Sequence, residues 1–169
     1  MHDLNTVFIP PCELAFVRMT GPYPQSSVAA WQRLLDWLTA RGHEAVDHVG
    51  FGLAIDDPRS IPAEELRYDA CVKLPVTWDI SDAGIVSVRN FRGGAYFKIR
   101  HVGPYTALGS VVSEARDILV PREGLIHDMS RPVLTMNYSY PAQTPPHEQV
   151  ADVCIPVLPD RRVQPRVLH

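Results

Sequence analysis

Apolar and polar positions along this chain follow two rhythms, and both rhythms occur twice. From Val17 to Thr20, and again from Tyr96 to Val102, β-branched and aromatic residues crowd together as they do in strands. Each run leads into Gly-Pro-Tyr, at Gly21–Tyr23 and Gly103–Tyr105, where proline has no N–H to carry a ladder onward. The spacing then lengthens to three and four. Val28, Trp31, Leu35 and Leu38 form one stripe, widened by Leu34 and Trp37. That pattern predicts a helix with a broad buried face, opening at Ser26 as N-cap and closing at Gly42. In the second stretch Leu108, Val111, Val112, Ala115, Ile118 and Leu119 keep the same spacing. Pro121 is expected to stop that helix at or before Val120. Two strands follow each helix: Val49–Ile55 and Arg67–Leu74, then Pro132–Tyr138 and Val150–Val157. Short lead-in strands near Val7–Ile9 and Ile85–Phe91 precede them, and Gly93-Gly94 reads as a hairpin turn.

The recurrence has a fixed period. Gly21 and Gly103 lie 82 residues apart, while Pro62, Glu65, Asp69 and Cys71 return 83 residues later as Pro145, Glu148, Asp152 and Cys154. Self-similarity of this kind predicts an α+β fold of two tandem, pseudo-symmetric βαββ modules with antiparallel sheets. Module one covers about 5–76 and module two about 85–158, within one domain of residues 1–158. The stretch from Ser81 to Gly84 serves as linker and 159–169 as a polar tail. One module of this size would be marginal alone. Two can bury each other's apolar surface, and the seam between them is where a pocket is expected.

Composition narrows the function. With 46% hydrophobic and 21% charged residues the chain can bury a core. Sixteen Lys/Arg against nineteen Asp/Glu leave a net charge of −3 with no long run of either sign. Such a balance offers no footprint for a phosphate backbone, so direct nucleic-acid binding is not expected. No run of 18 apolar residues suggests a membrane span. The start, Met1 to Ile9, carries Asp3 and no signal-peptide pattern, so a cytoplasmic protein is expected. Cys12, Cys71 and Cys154 are odd in number and lack a CxxC pair, which favours reduced thiols acting as small buried hydrophobes. Seven histidines show no HxH or HExxH spacing, and neither a nucleophile elbow nor a phosphate loop occurs. No metal, cofactor or catalytic residue is therefore expected.

Several motifs carry a family resemblance over about residues 5–158. Gly50 to Pro58 (GFGLAIDDP), Arg67 to Val72 (RYDACV), Gly94-Ala95-Tyr96 with His101 to Tyr105 (HVGPY), and Asp152 to Val157 (DVCIPV) together resemble the GyrI-like effector-binding domain. That module occurs at the C-terminus of AraC-type and MerR-type transcription regulators, and in stand-alone proteins related to DNA gyrase inhibitor. The resemblance implies a tandem SHS2-type fold with a ligand cavity between the halves. It also implies binding of lipophilic, often cationic, aromatic compounds, as in multidrug binding, and in some stand-alone members hydrolysis of cyclopropane-containing electrophiles. The family often places a glutamate after the second helix, in a Pro-x-x-Glu-x-Tyr pattern. Here Pro132 to Asn137 reads PVLTMN, so Thr135 takes the glutamate position and Asn137 the tyrosine position. A carboxylate there could pair with a cation or act as a base; threonine can do neither.

Strand alternation puts Val133, Thr135 and Asn137 on one face and Leu134, Met136 and Tyr138 on the other. Shifting Thr135 back by 82 lands on Leu53, so Phe51, Leu53 and Ile55 are expected on the equivalent face. Tyr68 offers an aromatic wall with a hydroxyl, Trp31 another ring, and Tyr105 either a pocket ring or a corner residue like Tyr23. The candidate ligand contacts are thus Trp31, Phe51, Leu53, Tyr68, Tyr105, Val133, Thr135 and Asn137. Glu148 is the one candidate for a displaced functional acid, against the ordinary reading of a solvated turn. Arg67 and Asp69 read as strand-end partners. The leading expectation is a sensor or sequestering protein for a small apolar or aromatic ligand, with no helix-turn-helix ahead of the repeat. The alternatives are a hydrolase of strained or electrophilic molecules and a gyrase-inhibitor-like interaction module, whose protein partner the sequence does not name.

Overall fold

The computed structural model describes residues 5–43, 49–75, 77–81 and 84–162. The middle of the expected linker and most of the expected tail fall outside them. The elements run β1 (Thr6–Ile9), β2 (Cys12–Thr20), α1 (Tyr23–Ala40), β3 (Gly50–Ala54), β4 (Arg67–Lys73), β5 (Ser87–Phe91) and β6 (Gly94–Val102). There follow α2 (Leu108–Glu114), a π-helical turn (Ala115–Leu119), α3 (Val120–Arg122), β7 (Leu125–His127), β8 (Val133–Asn137) and β9 (Val150–Pro159). This is a mixed α+β fold built on antiparallel strands.

The strand order is β1-β6-β9-β8-β3-β4-β2-β5, with β7 added on β9. In the first half β4 lies between β2 and β3; in the second β9 lies between β6 and β8. The halves join edge to edge through β3 and β8. The lead-in strands are exchanged: β1 pairs with β6 and β5 with β2. Nothing local encodes that exchange, and it corrects the hairpin expected at Gly93-Gly94, because β5 and β6 do not pair with each other. Only two residues separate β1 from β2, so Ile9 and Cys12 are within about 11 Å. Laid flat, the five strands between them would hold them about 29 Å apart. The sheet must therefore curl until its ends meet. Gly93, at φ 67°, fits where they do; a Cβ there would collide with the Ile9 carbonyl.

Curling creates an inner and an outer face. Leu14, Phe51, Leu53, Cys71, Phe91, Tyr96, Leu134 and Cys154, drawn from seven strands, meet inside as one shared apolar core. Burying a side chain such as Leu134, with no exposed surface, contributes about 2 kcal/mol. Outside, each half has its own core. α1 lies on β2 and β4, and α2 with its π turn lies on β9.

The helices differ from the expectation in register. α1 starts at Tyr23, straight after Pro22, with Pro24 in the first turn where a missing N–H costs nothing. Ser26 is buried rather than capping, and the buried line is Ser26, Ala30, Leu34 and Leu38. Two small residues let the helix approach the sheet there, which turns Val28 outward at 68% exposure. Gly42 does close the helix, at φ 75°. Pro121 does not end the second helical arm. Its ring would clash with the carbonyl four residues back, and the preceding turn widens so that the Val120 N–H reaches the Ala115 carbonyl. The extra residue turns Ile118 out and buries Val120.

The candidate binding seam

Between the two helical arms lies the outer face of β3 and β8, where Gly50 and Gly52 are buried beneath Trp31 and Tyr68. Alternation determines what faces outward. On β8, Val133, Thr135 and Asn137 point out while Leu134 joins the inner core. On β3, Gly50 and Gly52 occupy the outward positions and Phe51 and Leu53 point inward. Gly52 pairs with Thr135, so the repeat distance at this strand is 83, not 82, and the equivalent of Thr135 is Gly52 rather than Leu53. Phe51 and Leu53 accordingly share no surface with Thr135; a one-residue slip reverses every side chain of a strand.

The glycines make room for rings. A Cβ on Gly50 would stand 2.5 Å from the Trp31 indole. A Cβ on Gly52 would strike the Tyr68 hydroxyl and come within 2.6 Å of Thr135 Oγ1. Trp31 Nε1 donates to Tyr68 Oη at 2.9 Å. Thr135 faces the same Gly52 position, and its Oγ1 reaches the Gly52 carbonyl at 3.5 Å. One polar link thus joins α1 to β4 and another joins β8 to β3, and both converge on Gly52. Burial holds the Tyr68 hydroxyl well above the usual phenol range, despite the bond donated by Trp31, so it stays neutral at physiological pH. The Tyr140 ring meets Trp31 edge-on with centroids 6.2 Å apart, and burial raises its hydroxyl to about 12.

Asn137 ends the row. It is 5% exposed, and its Oδ1 is buried without a hydrogen-bond partner among the described residues. A buried acceptor left unpaired costs about 1–3 kcal/mol. None of the outward side chains of β3 and β8 is a carboxylate. The seam therefore gathers Trp31, Tyr68, Thr135, Asn137 and Tyr140 around two glycines, with Val133 leaning on the second outer core. Tyr140 and the glycines were missed by sequence reasoning, although a Gly-x-Gly alternation inside a strand is a signal that one face must be clear.

Other candidates sit elsewhere. The Tyr105 hydroxyl is tied to the Ser139 and Val150 carbonyls at 2.7 and 2.8 Å, as Tyr23 is tied to Asp56 at 2.6 Å. Asp56 and Ser139 are 83 residues apart, so both tyrosines serve as corner ties. Glu148 lies in a short 3₁₀ turn with its side chain in solvent. Arg67 pairs with Asp56 rather than Asp69. Asp69 faces inward to Arg18 and Arg89, just as Asp152 faces Arg100. Burial alone would raise Asp152, yet hydrogen bonds from Arg100 and Tyr138 hold it below the usual carboxylate range. Among the described residues no cluster of His, Cys, Asp and Glu could hold a metal, and no helix is long and apolar enough to cross a membrane.

The same architecture occurs in solved structures. The C-terminal domain of EcmrR superposes with a TM-score of 0.71 at 13% identity, covering 91% of this chain and 96% of that one. In the EcmrR–DNA complex the score is again 0.71 at 14% identity, with 90% of this chain matched but only 56% of EcmrR. This chain thus spans little more than half of EcmrR. A hydrolase from Listeria innocua matches with a TM-score of 0.62 at 17% identity, over 90% of each chain. SAV2435, solved bound to tetraphenylphosphonium, matches with 0.62 at 13% identity over 90% and 92%. A family model described as the GyrI-like small molecule binding domain matches residues 2–158.

Proposed function

Because the chain belongs to the GyrI-like small molecule binding domain family, we propose that it binds a small, uncharged aromatic ligand in the β3–β8 seam, as a sensor or sequestering protein. The observation that carries this reading is the pairing of Gly52 with Thr135 beneath Tyr68 and Trp31. The rings supply flat apolar walls. Asn137 Oδ1 supplies an acceptor with nothing to accept, which favours a ligand bearing an N–H or O–H. A lipophilic cation would find aromatic faces but no anion to neutralise it, and desolvating an unpaired charge is costly. The same lack of a carboxylate leaves hydrolysis without a general base on these strands.

Trp31 makes the test direct. Trp37 and Trp78 pack tilted against each other away from the seam, with centroids 5.8 Å apart, so ligand entry should alter Trp31 emission most. N-phenyl-1-naphthylamine is neutral, aromatic and carries one N–H. Titrated into the protein, it should bind saturably at one site and quench tryptophan fluorescence, and Trp31→Phe should abolish the quench. A quench that survives Trp31→Phe places the ligand elsewhere; a panel of neutral aromatic probes giving no saturable binding contradicts the reading outright.

A further inference from the structure

The inner face has an opening of its own. A cavity of about 260 Å³ lies on the side of the sheet away from both helices, with β1 residues Val7 to Ile9 and the following Pro10 as one wall and Phe51 and Met136 among its lining. Lys73, Lys98 and Tyr138 complete it. Phe8 stands at this wall 71% exposed.

Its electrostatics are opposite in sign to those of the whole chain. Alternation points Arg18, Lys73, Arg89, Lys98 and Arg100 to the inner face of the central strands, with Asp69 and Asp152 the carboxylates they meet. Both carboxylates are fully buried and already engaged. Asp69 takes Arg18 at 2.7 Å and Arg89 at 2.6 Å. Asp152 takes Arg100 at 3.0 Å and the Tyr138 hydroxyl at 2.8 Å, leaving Lys98 at a long 3.8 Å. Lys73 forms no ion pair among the described residues. Arg67, on the same face of β4, is neutralised by Asp56, so five further cations against two carboxylates leave this face positive in a chain of net charge −3. Two ammonium groups therefore line a partly apolar hollow with little anion to satisfy them.

We infer that this cavity is a second binding site, for a small organic anion: a carboxylate on an aromatic or aliphatic body, its charge between Lys73 and Lys98 and its body on Phe51 and Met136. It is separated from the seam by the sheet itself, and it does not depend on what the seam binds. Both lysines reach solvent, so their replacement should leave the fold intact.

Calorimetric titration with 1-naphthoate, and with 1-naphthamide as the uncharged counterpart, tests the assignment. Wild type should bind naphthoate at one site. The double variant Lys73→Gln/Lys98→Gln should lose at least roughly tenfold in naphthoate affinity, the loss of one charge-assisted contact. Naphthamide should bind both proteins alike, and Lys73→Arg/Lys98→Arg should keep naphthoate. Naphthoate bound equally well by the glutamine variant, or not bound by wild type, overturns the proposal.

Discussion

The two faces of the sheet around the β3–β8 join teach opposite lessons. Inside, the halves agree. Asp69 and Asp152 are equivalent, fully buried and each clamped by an arginine from the neighbouring strand, and Cys71 and Cys154 lie beside them in one shared core. Outside, the halves disagree. Where β3 presents Gly50 and Gly52, β8 presents Thr135 and Asn137. The two halves match at the buried carboxylates and cysteines and differ at the outward positions of the strands that join them. The bare strand accepts rings from its own half; the polar strand offers hydrogen bonds from the other.

The largest expected effect tests the face that agrees. Asp69→Asn and Asp152→Asn should each cost about 3 kcal/mol, at the low end for a broken buried pair because the arginines reach solvent. Chemical denaturation reads this directly. Similar losses uphold the equivalence of the halves, whereas a loss confined to one would break it.

On the outer face, Gly52→Val should cost about 1–3 kcal/mol by forcing Tyr68 and Thr135 apart, and it should also remove probe binding in the seam. Gly109→Ala is the contrast: nothing lies within 4 Å of its Cβ position, and α2 should gain up to about 1 kcal/mol. Thermal melts of the two variants would separate crowding from the mere loss of a glycine.

The smallest effect concerns pH. Both ring nitrogens of His127 are buried without hydrogen-bond partners among the described residues, and burial, aided by Arg116 and Arg59, holds its pKa below the ordinary 6.5. The unfolded chain then takes up the proton first as pH falls. Stability contributed here is complete above about pH 6.5 and lost as pH drops through the lower folded-state value. His127→Gln should flatten that part of the stability profile; an unchanged slope would assign it to other groups.

Much of the fold was legible because its signals are local or periodic. The repeat, the strand alternation of Val133 to Tyr138 and the Gly-Pro-Tyr breaks each follow from one stretch of chain. The exchange of β1 and β5 was not legible, since long-range pairing leaves no mark on either strand. Nor was the π turn, where Pro121 reads as a stop until the widened turn is seen. At the seam, Trp31, Tyr68, Thr135 and Asn137 could be named from residue type and alternation. Leu53 and Phe51 were misplaced because two strand positions in the repeat differ by 82 and the other two by 83, and one residue decides the face. The cavity bearing Lys73 and Lys98 arises from the curl, so no single segment announces it.

Replacing Thr135 by glutamate probes the seam's chemistry most directly. Affinities for tetraphenylphosphonium and N-phenyl-1-naphthylamine should be measured side by side in wild type and Thr135→Glu. The wild-type protein should prefer the neutral probe by roughly tenfold or more, about 1.4 kcal/mol, and the glutamate should reverse that order. Equal or tighter binding of the cation by wild type, or a glutamate variant with unchanged preference, would contradict a seam tuned to uncharged ligands.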